Sequence, residues 1–155
     1  MKTAGLVLLV FAVLAVGAER CVSLFAGRRA LKGALSLIRY LKASLTDHAE
    51  VLPSVYAGFP GGISPSFDRE LRENGLSGAM NKNARLFRSD ARETMEGLAA
   101  GIGNGSRETR LSLLSEAEKR MEETVKKNDA AFPDDLRVTA VWTLGAVGFL
   151  LIRFL

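Results

Sequence analysis

The stretch LAAGIGNGSRETR, residues 98–110, sets glycines at 101, 103 and 105 and follows them with Ser106 and Arg107. Glycines at this spacing let backbone N–H groups approach an anion closely, and a serine and an arginine beside them could complete a phosphate cradle. Such a cradle lies between a buried strand and the start of a helix, and its nucleotide-binding form carries a lysine followed by serine or threonine. Neither condition is met: no such lysine follows, and the upstream residues have helical periodicity. The competing reading is a corner. Gly101, Gly103 and Gly105 would stop one helix with positive φ, after which Ser106 caps the next. That reading predicts a helical hairpin over about 84–130, turning at 101–106.

The remaining chemistry is thin. His48 is the only histidine and Cys21 the only cysteine, so neither a zinc set nor a Cys–His pair can be assembled. The carboxylate pairs Glu122-Glu123 and Asp134-Asp135 fall on charged, exposed or boundary segments. No catalytic, cofactor-binding or metal-binding residue is therefore assigned, and the chain is expected not to be an enzyme. The net charge of +4 and pI near 9.5 raise nucleic acid as a partner. The basic excess is confined to residues 20–42, and no aromatic residues interleave with it as a stacking platform requires. Nucleic-acid binding is set aside on that ground.

The elements that hold these residues are framed by two apolar blocks. Thr3–Ala18 carries no charge, and Val138–Leu155 carries only Arg153. Each approaches the roughly 17 residues that a helix needs to cross a hydrocarbon core, and its flanks supply the rest. All 17 acidic residues lie between the blocks; of the 21 basic ones only Lys2, Arg137 and Arg153 lie outside Glu19–Leu136. The expected organisation is a membrane segment at 1–19, a helical domain at 20–136 and a second membrane segment at 137–155. Within the second block, Gly145 and Gly148 could let another helix approach closely.

The first block has a rival reading as a cleavable signal peptide, because Val16-Gly17-Ala18 supplies small residues before Glu19. Against cleavage, helical periodicity continues without a turn signal. Leu24, Leu31, Ile38 and Leu45 recur every seventh residue, with Phe25, Leu35 and Leu41 on the same broad face. One helix running from the membrane into the charged domain accounts for both halves. Arg20, Arg28, Arg29, Lys32, Arg39 and Lys42 follow the first block; Lys119, Arg120, Lys126, Lys127 and Arg137 precede the second. This excess predicts a cytoplasmic middle domain, and the cations at 20–42 are expected to meet anionic lipid headgroups.

The charged domain reads as helical throughout. Residues 46–59 form an amphipathic stretch broken by Pro53, and residues 60–66 form a loop. Ser64 and Pro65 open a short helix that Asn74-Gly75 stops, with a further weak helical turn after it. Phe87, Ala91, Met95, Leu98 and Ile102 mark one amphipathic helix; Leu114, Ala117, Met121 and Val125 mark another. On the second, Glu116 with Arg120, Glu122 with Lys126, and Glu123 with Lys127 are spaced as i,i+4 pairs on a solvated face. The fold class is all-α: a helical bundle flanked by an N-terminal and a C-terminal transmembrane helix.

LFRSDARETMEGLAAGIGNGSRETRLSLL (86–114), EAEKRMEETVKK (116–127) and LGAVGFLLI (144–152) occur in that order. This resembles the stage III sporulation protein AB family of endospore-forming bacteria, in which a leucine-rich helix, an "LG" turn, a Glu/Lys/Arg-rich helix and a closing "LG…G" membrane segment follow one another. Ile102-Gly103 and Leu144-Gly145 stand at the two "LG" positions. The family's aspartate and glutamine after the turn are replaced here by Ser106 and by Thr109 or Arg110. The resemblance implies a mother-cell membrane protein of the channel apparatus that joins mother cell and forespore. It also implies a soluble domain similar to the cytoplasmic domain of the type II secretion and type IV pilus platform protein. The implied partners are other channel membrane proteins and a cytoplasmic secretion-type ATPase, with a second copy of the chain as a further candidate. No cofactor is implied.

Overall fold

The structure is a computed structural model and describes residues 2–47 and 51–154. The chain is all-α, and among the described residues there is no strand. Helix α1 spans Lys2–Asp47, α2 Leu52–Gly58, α3 Pro65–Asn83, α4 Ser89–Gly101 and α5 Arg107–Phe154, with a 3-10 turn at Ala84–Leu86. The chain divides into two compact units: Gly27–Lys127, and Met1–Ala26 with Asn128–Leu155. Both long helices contribute to both units.

The helical domain, Gly27–Lys127, is built around one apolar core. From α1 it takes Leu31, Ala34, Ile38, Leu41 and Leu45, whose spacings of three and four place them on one stripe of a 3.6-residue helix. Helix α4 contributes Ala91, Met95 and Leu98, with Phe87 and Ile102 just beyond its ends. Helix α5 contributes Leu114, Ala117 and Met121, while Val125 packs at the edge. Phe67 and Phe87 meet edge to face at 5.7 Å, a geometry that aligns the positive ring edge with the negative face. Phe25 does not belong to this core. It lies in the other unit, edge-on to Phe132 at 5.1 Å.

One local expectation is corrected and another is met. Pro53 does not break a helix but stands in the first turn of α2, where its missing N–H costs nothing. Helix α3 begins as expected, with Ser64 Oγ accepting the Phe67 N–H at 3.1 Å and Pro65 in first position. Its first segment stops at Asn74-Gly75, as expected: Gly75 takes a non-helical φ 69°, ψ −172°, and a second helical segment follows across the kink to Asn83. Glycine reaches this conformation without the Cβ penalty of other residues, so it can bend the chain without a loop. The buried Glu70 bridges the bend, accepting from Asn74 Nδ2 at 2.8 Å and Lys82 Nζ at 2.7 Å.

Candidate functional site

The glycine stretch is a helix corner. Gly101 is the last residue of α4, where Ile102 N–H donates to Leu98 O at 2.9 Å and Asn104 N–H to Gly101 O at 3.1 Å. Only Gly105 of the three glycines has positive φ, at 97°. Gly101 and Gly103 do not, because the helix closes with right-handed geometry through Ile102 and needs one left-handed residue to redirect the chain. Ser106 accepts the Thr109 N–H on Oγ at 3.3 Å, and its carbonyl accepts the Arg110 N–H at 3.0 Å. Helix α5 then starts at Arg107.

Both arginines of the corner are directed at main-chain oxygens. Arg107 donates through Nε to Leu45 O at 2.9 Å and through Nη2 to Thr46 O at 2.5 Å. These carbonyls belong to the last described turn of α1, and the last carbonyls of a helix are the ones that look outside it for donors. Arg110 Nη2 lies 3.5 Å from Gly103 O. A phosphate bound at the corner would have to compete with these contacts.

A charged seam joins α1 to α5 inside the helical domain. Arg39 donates from Nε to Glu118 Oε1 at 3.1 Å and from Nη2 to Glu122 Oε1 at 2.6 Å; Lys42 Nζ donates to Glu118 Oε2 at 2.8 Å. The Lys42 hydrogen bond is the main cause that holds the Glu118 carboxyl below its usual range; burial opposes it and the bond from Arg39 adds to it. The Glu116–Arg120 pair forms along the helix at 2.6 Å, whereas Glu122 reaches across to Arg39. Two of the six cations expected at lipid headgroups, Arg39 and Lys42, are thus occupied by carboxylates of α5. Tyr56, buried in the same domain, has its phenol pushed up to about 12, chiefly by burial.

Among the described residues no three His, Cys, Asp or Glu side chains gather as a metal-binding group. His48 lies outside the described residues. Cys21 is a half-buried free thiol on α1.

The other unit presents the reverse surface. Of the large apolar side chains exposed among the described residues, only Val51 lies in the helical domain; the rest, from Val7 to Phe25 and from Val138 to Ile152, lie on the two long helices of this unit. Leu8 is 71% exposed, Trp142 76% and Ile152 81%. Exposed apolar side chains gathered in number are what an interaction with a membrane or another protein covers. Helices α1 and α5 are each long and apolar enough to cross a membrane.

Within this unit α1 passes close to α5 at Gly17. A Cβ on this residue would lie 2.5 Å from Thr143 Oγ1 and 3.2 Å from Thr143 Cβ. Gly145 and Gly148 have open space where a Cβ would stand. Any close packing they permit is thus with something other than the described part of this chain. No protein-family model, curated protein or solved structure matches the chain.

Proposed function

We propose that the chain is a non-enzymatic membrane platform: two transmembrane segments anchor a cytoplasmic helical domain that acts by binding other proteins. The observation that carries this reading is the division of surface, one unit apolar on its exterior and the other with its apolar residues inside and charged residues outside. The excess of Lys and Arg at 20–42 and 119–137 supports a cytoplasmic middle domain. The resemblance of residues 86–152 to the stage III sporulation protein AB family supports a place in the channel between mother cell and forespore. There the domain would work beside other channel proteins and a secretion-type ATPase.

Deletion of the gene in a sporulating host is the decisive test, with arrest after engulfment expected and normal spore formation counting against the reading. Labelling of cysteines placed at residues 60–110 tests topology. These positions should react only after the membrane is opened, and labelling of intact cells would overturn the cytoplasmic assignment.

The small residues Gly17 and Ala18 before Glu19 favour one second reading, an exported helical domain with a cleaved signal peptide and a C-terminal anchor. The helical periodicity that continues past Glu19 through Leu24, Leu31, Ile38 and Leu45 weighs for retention. The mass of the mature protein separates the two, because cleavage after Ala18 removes everything before Glu19.

A further inference from the structure

A groove of about 450 Å³ runs between α1 and α5 within the unit formed by residues 1–26 and 128–155. Leu9, Ala12 and Gly17 line it from α1, Trp142 and Ala146 from α5, and Arg20 stands at one end. Thr139 and Thr143 also face it, but their hydroxyls are engaged with their own helix, donating to Asp135 O and Thr139 O at 2.8 Å each. The groove is therefore apolar along its length with a cation at one end. Arg20 is exposed and forms no ion pair among the described residues.

Its dimensions select the occupant. From Leu9 to Arg20 the α1 axis advances about 16 Å at the α-helical rise. That is close to half of a hydrocarbon core about 30 Å thick, the depth of one leaflet. The acyl chain of a lipid in that leaflet matches this length, and its methylenes match the apolar lining of Leu9, Ala12, Trp142 and Ala146. The planar guanidinium of Arg20, placed where that chain would end, matches a phosphate diester in charge and in hydrogen-bonding geometry.

We propose that this groove holds one acyl chain of an anionic phospholipid whose phosphate is bound by Arg20. The inference rests on the reading that this unit lies in a bilayer. A lipid so held completes the surface between the two helices where small side chains leave a gap, and it couples their packing to the charge of the surrounding leaflet.

The test uses the full chain in nanodiscs of phosphatidylglycerol or phosphatidylcholine, transferred to detergent and weighed by native mass spectrometry. Retained phosphatidylglycerol should exceed phosphatidylcholine by about fivefold, the effect of one basic side chain at an anionic surface. Arg20→Gln should abolish that preference, Arg20→Lys should keep part of it, and Arg29→Gln, at another exposed cation, should leave it intact. Ala12→Phe should lower retention of both lipids by filling the groove, and circular dichroism of each variant in detergent should show unchanged helix content. Millimolar inorganic phosphate should not displace the lipid, because the acyl chain holds it. Equal retention of the two lipids by the unaltered chain, a preference that survives Arg20→Gln, or displacement by free phosphate would overturn the proposal. Alkaline carbonate extraction reports on the membrane reading separately: release of the chain overturns both, whereas a chain that stays in the membrane without lipid preference overturns only the groove.

Discussion

The Arg107 guanidinium donates to the Leu45 carbonyl oxygen at 2.9 Å, so the first turn of α5 closes the last turn of α1. The second bond, to Thr46 O, makes the contact two-pronged. It ties the corner to a helix end some sixty residues earlier in the chain. Arg107→Ala should cost about 1–2 kcal/mol, the usual worth of hydrogen bonds from a charged donor when they are partly exposed. Arg107→Lys should recover only part of this, since an ammonium lacks the fork. Urea unfolding of the detergent-solubilised chain measures both, and an unchanged midpoint for Arg107→Ala would contradict the capping role.

The corner should respond unequally to added side chains. Gly105→Ala forces a left-handed φ of 97° on a residue with a Cβ, which would also lie 3.2 Å from Thr109 Cβ. A loss of about 1–2 kcal/mol is expected. Gly103 has open space at the same position and no positive φ. Gly103→Ala should be neutral or slightly stabilising through reduced unfolded-state entropy. Equal melting temperatures for the two variants would show that the corner does not depend on the left-handed residue.

At Gly17 the prediction is a suppressible defect. Gly17→Ala places a methyl against Thr143 and should lower the melting temperature in detergent. Thr143→Ala should restore much of it by removing the two atoms closest to the new methyl, Oγ1 at 2.5 Å and Cγ2 at 2.8 Å. The hydroxyl lost in that variant bonds only to its own helix at Thr139 O, a contact of little stabilising value. Gly145→Ala, by contrast, meets nothing within the chain. A double variant no better than Gly17→Ala alone would place the constraint elsewhere.

Acid should weaken the helical domain through Glu70. The hydrogen bond from Lys82, then that from Asn74, holds this carboxyl below the ordinary value of 4.5. A group depressed in the folded state contributes stability above its unfolded value and loses that contribution as pH falls through the folded one. The loss should therefore begin near pH 4.5 and deepen below it. Glu118 shifts in the same direction, with Lys42 as its main cause. Glu70→Gln should flatten the acid limb of a melting-temperature profile. An identical slope in that variant would remove Glu70 as a cause.

Much of the helical domain is legible where burial follows a helical period. Phe87, Ala91, Met95, Leu98 and Ile102 all prove buried, because a bundle of five helices gives each helix one apolar side and water takes the other. Ser64-Pro65 is equally readable, since a cap is a local chemical event. Asn74-Gly75 was readable as a stop as well, whereas the helical segment that follows it to Asn83 read only as a weak turn. Arg107 and the Arg39–Glu118 seam join residues far apart in the chain, and periodicity carries no information about such pairs. Gly17 drew notice only as a small residue before a possible cleavage site, whereas Gly145 and Gly148 were the ones read as packing glycines; which glycine meets a neighbour depends on the rotation of its helix.

The seam between Arg39, Lys42 and the two glutamates of α5 also has a schedule. Glu118 lies 76 residues beyond Lys42, and Glu122 lies 83 beyond Arg39. Both cations are synthesised well before the carboxylates that hold them, so the link from α1 to α5 can close only once residues 118–122 have left the ribosome. The two ends of the helical domain are thus joined late, whatever order its inner helices pack in.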